Sequence, residues 1–185
     1  MVILIGGTGC AGKTLLANHL MKQINIPYFP LDHLMMGIYR GMPDCGFTPM
    51  DDQFVLGEKM WPVIKGLIMT NVENKHSIIF EGIQLLPNLL VDFPPEYLDH
   101  MLPIFLLLSE EYIRENFEDK IIKYRSAIER RGDIEDVTPE NMLSATRRLK
   151  AQCIDHELTF IEIKGDFDAS LKTAGNFVLA HLSNQ

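Results

Sequence analysis

Short apolar runs alternate along the chain with longer stretches of helical periodicity, which predicts an α/β fold around a mostly parallel sheet. Val2 to Ile5 is continuously apolar and reads as a buried first strand. Leu16, Ala17, Leu20 and Met21 then recur at i, i+1, i+4 and i+5, the stripe of a helix packed on one side. Ile26 to Leu31 predicts a second strand, and Pro27 and Pro30 restrict it to an edge or an irregular path because neither can donate to a ladder. Ser77 to Phe80 and Ile104 to Leu108 are the third and fourth strands. Phe160 to Lys164 alternates, as a strand with one exposed side does. Thr48-Pro49 is a cap and first-turn pair that predicts a helical stretch bending at Pro62. Ser109, followed by Glu110 and Glu111, predicts another helix start, and Thr138-Pro139 a further one. Leu171, Ala174, Val178 and Leu182 form the inner stripe of a last helix.

Composition narrows the classes. A chain of 185 residues, 46% hydrophobic and 23% charged, fits one compact domain over 1–185 and is not compositionally disordered. Seventeen basic against 25 acidic side chains leave a net charge of −8, which argues against a nucleic-acid partner. A membrane-spanning helix needs roughly 18 apolar residues, and Glu81, Pro87, Asp92, Pro103 and Ser109 interrupt the greasiest stretches. Met1 to Ile5 is too short for a secretory signal and has no basic flank. Cys10, Cys45 and Cys153 are odd in number and widely spaced, so neither a disulfide framework nor a zinc site is expected. A reduced, cytoplasmic protein with no membrane partner is the expectation, and a homodimer is left open.

The chemistry is concentrated near the start. Gly7-Thr8-Gly9-Cys10-Ala11-Gly12-Lys13-Thr14 satisfies G-x-x-x-x-G-K-S/T and stands between a strand signal and a helix signal. Its glycines let the backbone curl until successive N–H groups converge on phosphate oxygens, and the following helix, entered through Leu15, adds the positive end of its dipole. Lys13 brings a positive charge for β- and γ-phosphates, and the Thr14 hydroxyl suits the oxygen shell of a magnesium ion.

On these residues the chain resembles the P-loop kinases of nucleosides, nucleotides and other small metabolites. The resemblance implies a three-layer P-loop sandwich with five mostly parallel strands, helices on both faces and a helical lid over about 118–140. It also implies that the loop binds ATP together with Mg2+. The segment Leu31-Asp32 to Gly37-Ile38-Tyr39-Arg40 is similar to the acceptor-binding stretch of cytidylate kinases. Ile78-Ile79-Phe80-Glu81-Gly82 is similar to uridine and nicotinamide-riboside kinases, and Glu81-Gly82 with Pro87 to 2-phosphoglycerate kinases.

Each further candidate carries two readings. Asp32, at the carboxyl edge of the sheet, orients or deprotonates the acceptor hydroxyl, or caps a helix through Leu34 to Tyr39. Arg40, about 12 Å further along that helix, meets a distal anionic group of the acceptor or lies on the surface. Glu81 closes an apolar strand, where an acid holds magnesium or positions the acceptor beside Gly82. The resemblance puts Arg125, Arg130 and Arg131 on the lid, closing on the phosphates, within a basic group that also includes Lys120, Lys123, Arg147, Arg148 and Lys150. The alternative is a solvated face, since acids are interleaved and Gly132 follows a helix end. The resemblance also puts Gly165 and Asp166, after the fifth strand, against the adenine, although Gly-Asp is an ordinary turn pair too.

The expected function is therefore a magnesium-dependent kinase acting from ATP on a small-molecule acceptor, a nucleoside or nucleotide first. A phosphorylated hydroxy acid such as 2-phosphoglycerate is the alternative, and the helical insert over about 33–72 would shape the acceptor pocket in either case. A GTPase would show N-K-x-D, and Asn74-Lys75-His76-Ser77 lacks the Asp. An ATP-binding or ATP-hydrolysing regulator is the remaining class.

Overall fold

The computed structural model describes residues 1–124 and 137–183. Five strands, β1 (Val2–Gly7), β2 (Tyr28–Pro30), β3 (Ile78–Glu81), β4 (Met101–Leu108) and β5 (Phe160–Ile163), form one sheet in the order β2-β3-β1-β4-β5. Every pairing is parallel. The described helices are α1 (Lys13–Ile24), α2 (Leu31–Gly41), α3 (Gln53–Glu73), α4 (Pro87–Leu90), α5 (Pro95–Leu98), α6 (Glu110–Asn116), α7 (Pro139–Asp155) and α8 (Phe167–Ser183), with a π-helical turn over Phe117–Ile122.

Strand alternation sends successive side chains to opposite faces and so builds two cores. Val2, Leu4, Phe80, Phe105 and Leu107 face α3 and part of α7. Ile3, Ile5, Ile79, Ile104 and Leu106 face α1, α6 and α8. Burying aliphatic side chains of this kind contributes about 1.5–3 kcal/mol each, which makes the sheet the rigid part of the molecule.

The proline positions explain where the expected boundaries shift. Pro30 leaves β2 a three-residue edge strand, and Leu31 is the first residue of α2 rather than the last of the strand. β4 begins at Met101, earlier than expected, and runs through Pro103. The Phe105 amide points toward β5, donating to the Thr159 carbonyl at 3.0 Å. The Pro103 nitrogen, two residues earlier, faces the same side before β5 has begun, so no ladder bond is lost.

Thr48-Pro49 does not open α3. The Thr48 hydroxyl donates to Asp51 and accepts from the Met50 amide in a local turn, and the cap is Asp52, whose Oδ1 accepts from the Phe54 amide at 2.9 Å. α3 continues through Pro62 without a break. Pro62 and Glu58 both lie on the exposed face, where water can serve the carbonyl that the proline leaves unpaired. Ser109 and Thr138 cap α6 and α7 as expected, through the Tyr112 and Asn141 amides.

Cys153 is fully buried under the sheet, and burial pushes its thiol up to about 12. Cys10 and Cys45 are partly exposed. Native protein at about pH 8 is therefore expected to give two thiols to a chromogenic disulfide reagent and the third on unfolding. Rapid reaction of all three in the native state would contradict this packing.

Candidate active site

Parallel strands end on one edge, and the register brings Ile5 of β1, Pro30 of β2 and Glu81 of β3 level there. The phosphate-loop sequence, Asp32 and Glu81 must then converge. Gly7 leaves β1 at φ 127°, and a Cβ there would stand 1.9 Å from the Leu106 carbonyl oxygen, so no other residue fits without moving β4. Thr8 fastens the loop: its amide donates to the Leu106 carbonyl at 3.0 Å, and its hydroxyl accepts from the Leu108 amide at 3.2 Å. Gly9 has open space where a Cβ would lie. Cys10 at φ 60° and Gly12 at φ 86° complete the curl, with the buried Ala11 donating back to the Thr8 carbonyl.

Lys13 begins α1 and is 93% buried, being 7% exposed, and its Nζ donates to the Thr8 carbonyl at 2.7 Å inside the loop. No side chain caps α1, whose first amides and dipole suit an anion. A Cβ on Gly12 would meet the Phe167 ring at 2.8 Å, so the loop glycine also admits the first residue of α8.

The acids stand opposite. The Thr14 hydroxyl donates to Glu81 Oε1 at 3.1 Å, and Glu81 is 4% exposed. Asp32 lies in the first turn of α2, whose N-cap is Pro30, and its Oδ1 accepts from Gln84 Nε2 at 2.7 Å. The capping role considered for Asp32 is therefore absent. A hydroxyl beside a carboxylate is a pair of hard oxygen donors that fits Mg2+, an ion that takes few protein ligands and completes its shell with phosphates and water. Among the described residues no group of three or more His, Cys, Asp or Glu forms a metal cage by itself.

One cavity of about 650 Å³ gathers these groups. Cys10, Gly12, Lys13, Thr14, Leu15, Asp32 and Glu81 line it together with Tyr112, Lys120, Tyr124, Gly165, Asp166, Phe167 and Asp168. The rings of Tyr112 and Phe167 lie 6.5 Å apart at 36°, and the Lys120 ammonium sits 5.6 Å from the Tyr112 centroid. Burial first, and the Asp168 charge second, push the Tyr112 phenol above its ordinary range, which keeps it neutral. Gly165 turns at φ 55°, and Asp166 caps α8 by accepting from the Ala169 amide at 3.0 Å. Lys120 and Ile121 come from the π-helical turn, a departure from regular helix common where side chains serve a site.

Of the expected residues, Gly7, Thr8, Gly9 and Ala11 build the loop without lining the cavity, and Arg40 and Gly82 do not join its wall either. Arg40 is exposed in the last turn of α2, where it complements the helix dipole. Gly82 packs beneath the site, where a Cβ would meet Gln84 Oε1 at 2.4 Å and Leu31 Cβ at 2.9 Å. Arg125, Arg130 and Arg131 lie outside the described residues. The rest of the basic group divides: Arg147 pairs with Glu110 through Nε at 2.8 Å and through Nη2, Arg148 lies 3.7 Å over the Phe54 ring, and Lys150 pairs with Glu162 at 2.7 Å. Gln84, Tyr112, Tyr124, Phe167 and Asp168 were not anticipated. Tyr112 and Phe167 carry the signature of ordinary core aromatics, whereas Gln84 was visible as a lone amide in the apolar run Ile83 to Leu86.

No protein-family description matches the sequence, and no curated protein sequence does. Solved structures do. Shikimate kinase from Aquifex aeolicus is 16% identical, covering 100% of this chain and 98% of that one with a TM-score of 0.55. A sugar kinase from Janibacter is 16% identical over 96% and 93% of the two chains, with a TM-score of 0.54. Deoxyadenosine kinase from M. mycoides is 14% identical over 97% and 100%, with a TM-score of 0.50. At these identities the likeness establishes the fold alone, an α/β sandwich with an all-parallel five-stranded sheet that these kinases share. Among the described residues no helix is long and apolar enough to cross a membrane.

Proposed function

We propose that the chain is a kinase that transfers the γ-phosphoryl group of ATP to a hydroxyl of a small acceptor. One observation carries the reading: a single cavity joins the phosphate loop with Lys13 and Thr14 to two carboxylates, Asp32 and Glu81, from different strand ends. A simple phosphate-binding loop has no need of two acids beside an anionic ligand. Phosphoryl transfer does, because it requires a metal ligand and a group that receives or directs the acceptor proton.

In this reading the loop amides and Lys13 hold the triphosphate, and Nζ exchanges the Thr8 carbonyl for β- and γ-phosphate oxygens. Thr14 and Glu81 would hold Mg2+, which would supply neutralisation of phosphate charge. Asp32 accepts a hydrogen bond from the acceptor hydroxyl, aims its oxygen at the γ-phosphorus and takes the proton as the new P–O bond forms and the bond from that phosphorus to the bridging oxygen breaks, with ADP as the leaving group. Tyr112, Phe167 and the Gly165-Asp166 turn contact the base. Arg125, Arg130 and Arg131 are assigned lid roles on sequence alone.

The acceptor expected from sequence is a nucleoside or nucleotide, with a phosphorylated hydroxy acid as the alternative. Arg40, which motivated the first, lies away from the cavity wall. Structures of this fold are described as shikimate, sugar and deoxyadenosine kinases, which supports a broad search. ADP release would be measured with Mg-ATP against nucleosides, nucleoside monophosphates, sugars, shikimate and phosphoglycerates. Release that depends on one acceptor class supports the kinase. Release independent of acceptor indicates a hydrolase, and ATP binding without release a sensor.

A further inference from the structure

Gln84 follows β3, three residues beyond Glu81, and its side chain is fully buried. A buried primary amide costs free energy unless its two donors and its acceptor are matched. Here Nε2 donates to Asp32 Oδ1 at 2.7 Å and touches Met35 Sδ at 3.7 Å, while Oε1 is buried without a hydrogen-bond partner. The amide cannot be turned round, because its oxygen would then face a carboxylate oxygen at hydrogen-bond distance, acceptor against acceptor. Leu85 and Leu86, the next two residues, are fully buried and apolar. Position 84 thus keeps a half-matched amide where a hydrocarbon would pack without that cost, and its matched half ends on Asp32.

The local backbone is arranged around the same amide. Gly82 needs no left-handed conformation, yet a Cβ there would stand 2.4 Å from Gln84 Oε1. The missing side chain at Gly82 is the space in which the amide lies. Gly82, Gln84 and Asp32 form a stack running from beneath the sheet edge to the cavity wall.

We infer that Gln84 is a positioning residue for Asp32: its amide holds one carboxylate oxygen and thereby sets where the other points in the cavity. This deepens the kinase reading above and rests on it. An Asp carboxyl turns about a broad, roughly two-fold torsion, so an unheld one samples many directions. A general base must lie within about 2.6–3.2 Å of the proton it takes, and a misplacement near 1 Å can cost about a hundredfold in rate. A neutral amide is suited to the task, because it orients the carboxylate without the full positive charge of a guanidinium, which would hold the group ionised and weaken it as a base.

Two variants of the full chain test this, assayed with the acceptor that the panel identifies. Gln84→Met keeps the length and removes the donor. It is expected to fold with an unchanged or higher thermal midpoint, since it also removes an orphaned oxygen. Calorimetry should find ATP affinity within about twofold of the parent, while kcat falls about 10- to 100-fold with little change in acceptor KM. Gln84→Glu keeps the shape but donates to Asp32 only when protonated. Among the described residues, position 84 contacts Asp32 of α2, Glu81 at the end of β3 and Lys13 of α1 line the cavity with Asp32, and α3 approaches the Gln84 carbonyl at Gly57. Its kcat profile should therefore move toward acid relative to the parent, whereas a merely structural defect would lower the rate alike at every pH.

A kcat for Gln84→Met within twofold of the parent, or a Gln84→Glu profile that superimposes on it, overturns the inference and leaves the kinase reading standing. The side-chain NH2 resonances of Gln84 give a check that needs no acceptor: they should shift in Asp32→Ala, and their failure to shift would show that the bond does not exist. If the parent turns over no acceptor at all, the kinase reading falls and the positioning role falls with it.

Discussion

Lys13→Ala is expected to lower acceptor-dependent ADP release by about a thousandfold or more and to weaken ATP binding, while leaving the fold intact. The size follows from what one ammonium does at this place. Removing one donor to a charge developing in a transition state costs about 2.7–4 kcal/mol, and each charge-assisted hydrogen bond to bound phosphate contributes about 1.5–3 kcal/mol more. Together these exceed the roughly 4 kcal/mol that a thousandfold represents. The stability side is much smaller. The alanine gives up the Nζ bond to the Thr8 carbonyl, and it also removes an amine that is 7% exposed and held in a tight loop. Those two changes oppose each other, so the denaturant midpoint should shift little. Titration calorimetry with ATP, denaturation and the ADP assay separate the cases. A variant that keeps a tenth of the parent rate would remove Lys13, and with it the phosphate-loop mechanism, from the site.

The sheet and the loop were legible because their determinants are local. A continuous apolar run, a glycine-rich turn and a helical stripe each lie within about twenty consecutive residues, and the parallel topology follows from their alternation. Gly7 shows how local rules still depend on a distant partner. The motif requires a glycine there for phosphate access, and the fold requires it again because the Leu106 carbonyl fills the space where a Cβ would be.

What sequence hid were contacts between segments far apart in the chain. Asp32 and Gln84 are 52 residues apart and meet through β2–β3 pairing, which no periodicity announces. Glu81 and Thr14, 67 residues apart, meet for the same reason, one strand further along. Boundary shifts had a different source. Thr48-Pro49 has the chemistry of a helix start, but the Thr48 hydroxyl is already engaged with Asp51 and Met50, and Asp52 takes the cap. Three members of the basic group are dispersed by geometry. Arg147, Arg148 and Lys150 are close in sequence, yet helical spacing turns them toward Glu110, Phe54 and Glu162 in three directions.

Asp32→Asn should separate chemistry from binding, with kcat falling about 10²- to 10⁴-fold while ATP affinity stays level or rises slightly. The substitution preserves shape, and the amide oxygen of asparagine can still accept from Gln84 Nε2 as Asp32 Oδ1 does at 2.7 Å. Its second atom is then an NH2 group, which offers a hydrogen to the acceptor hydroxyl where a lone pair is needed. The hydroxyl must turn away to donate elsewhere, and no carboxylate remains to take its proton. ATP binding moves the other way, because one negative charge leaves a cavity that already holds Glu81 and must receive a triphosphate. Pre-steady-state ADP formation is the measurement that decides, since it reports the chemical step before product release. An unchanged burst rate would place Asp32 outside the reaction. A lost burst with intact nucleotide binding would leave Asp32 as the group that handles the acceptor proton.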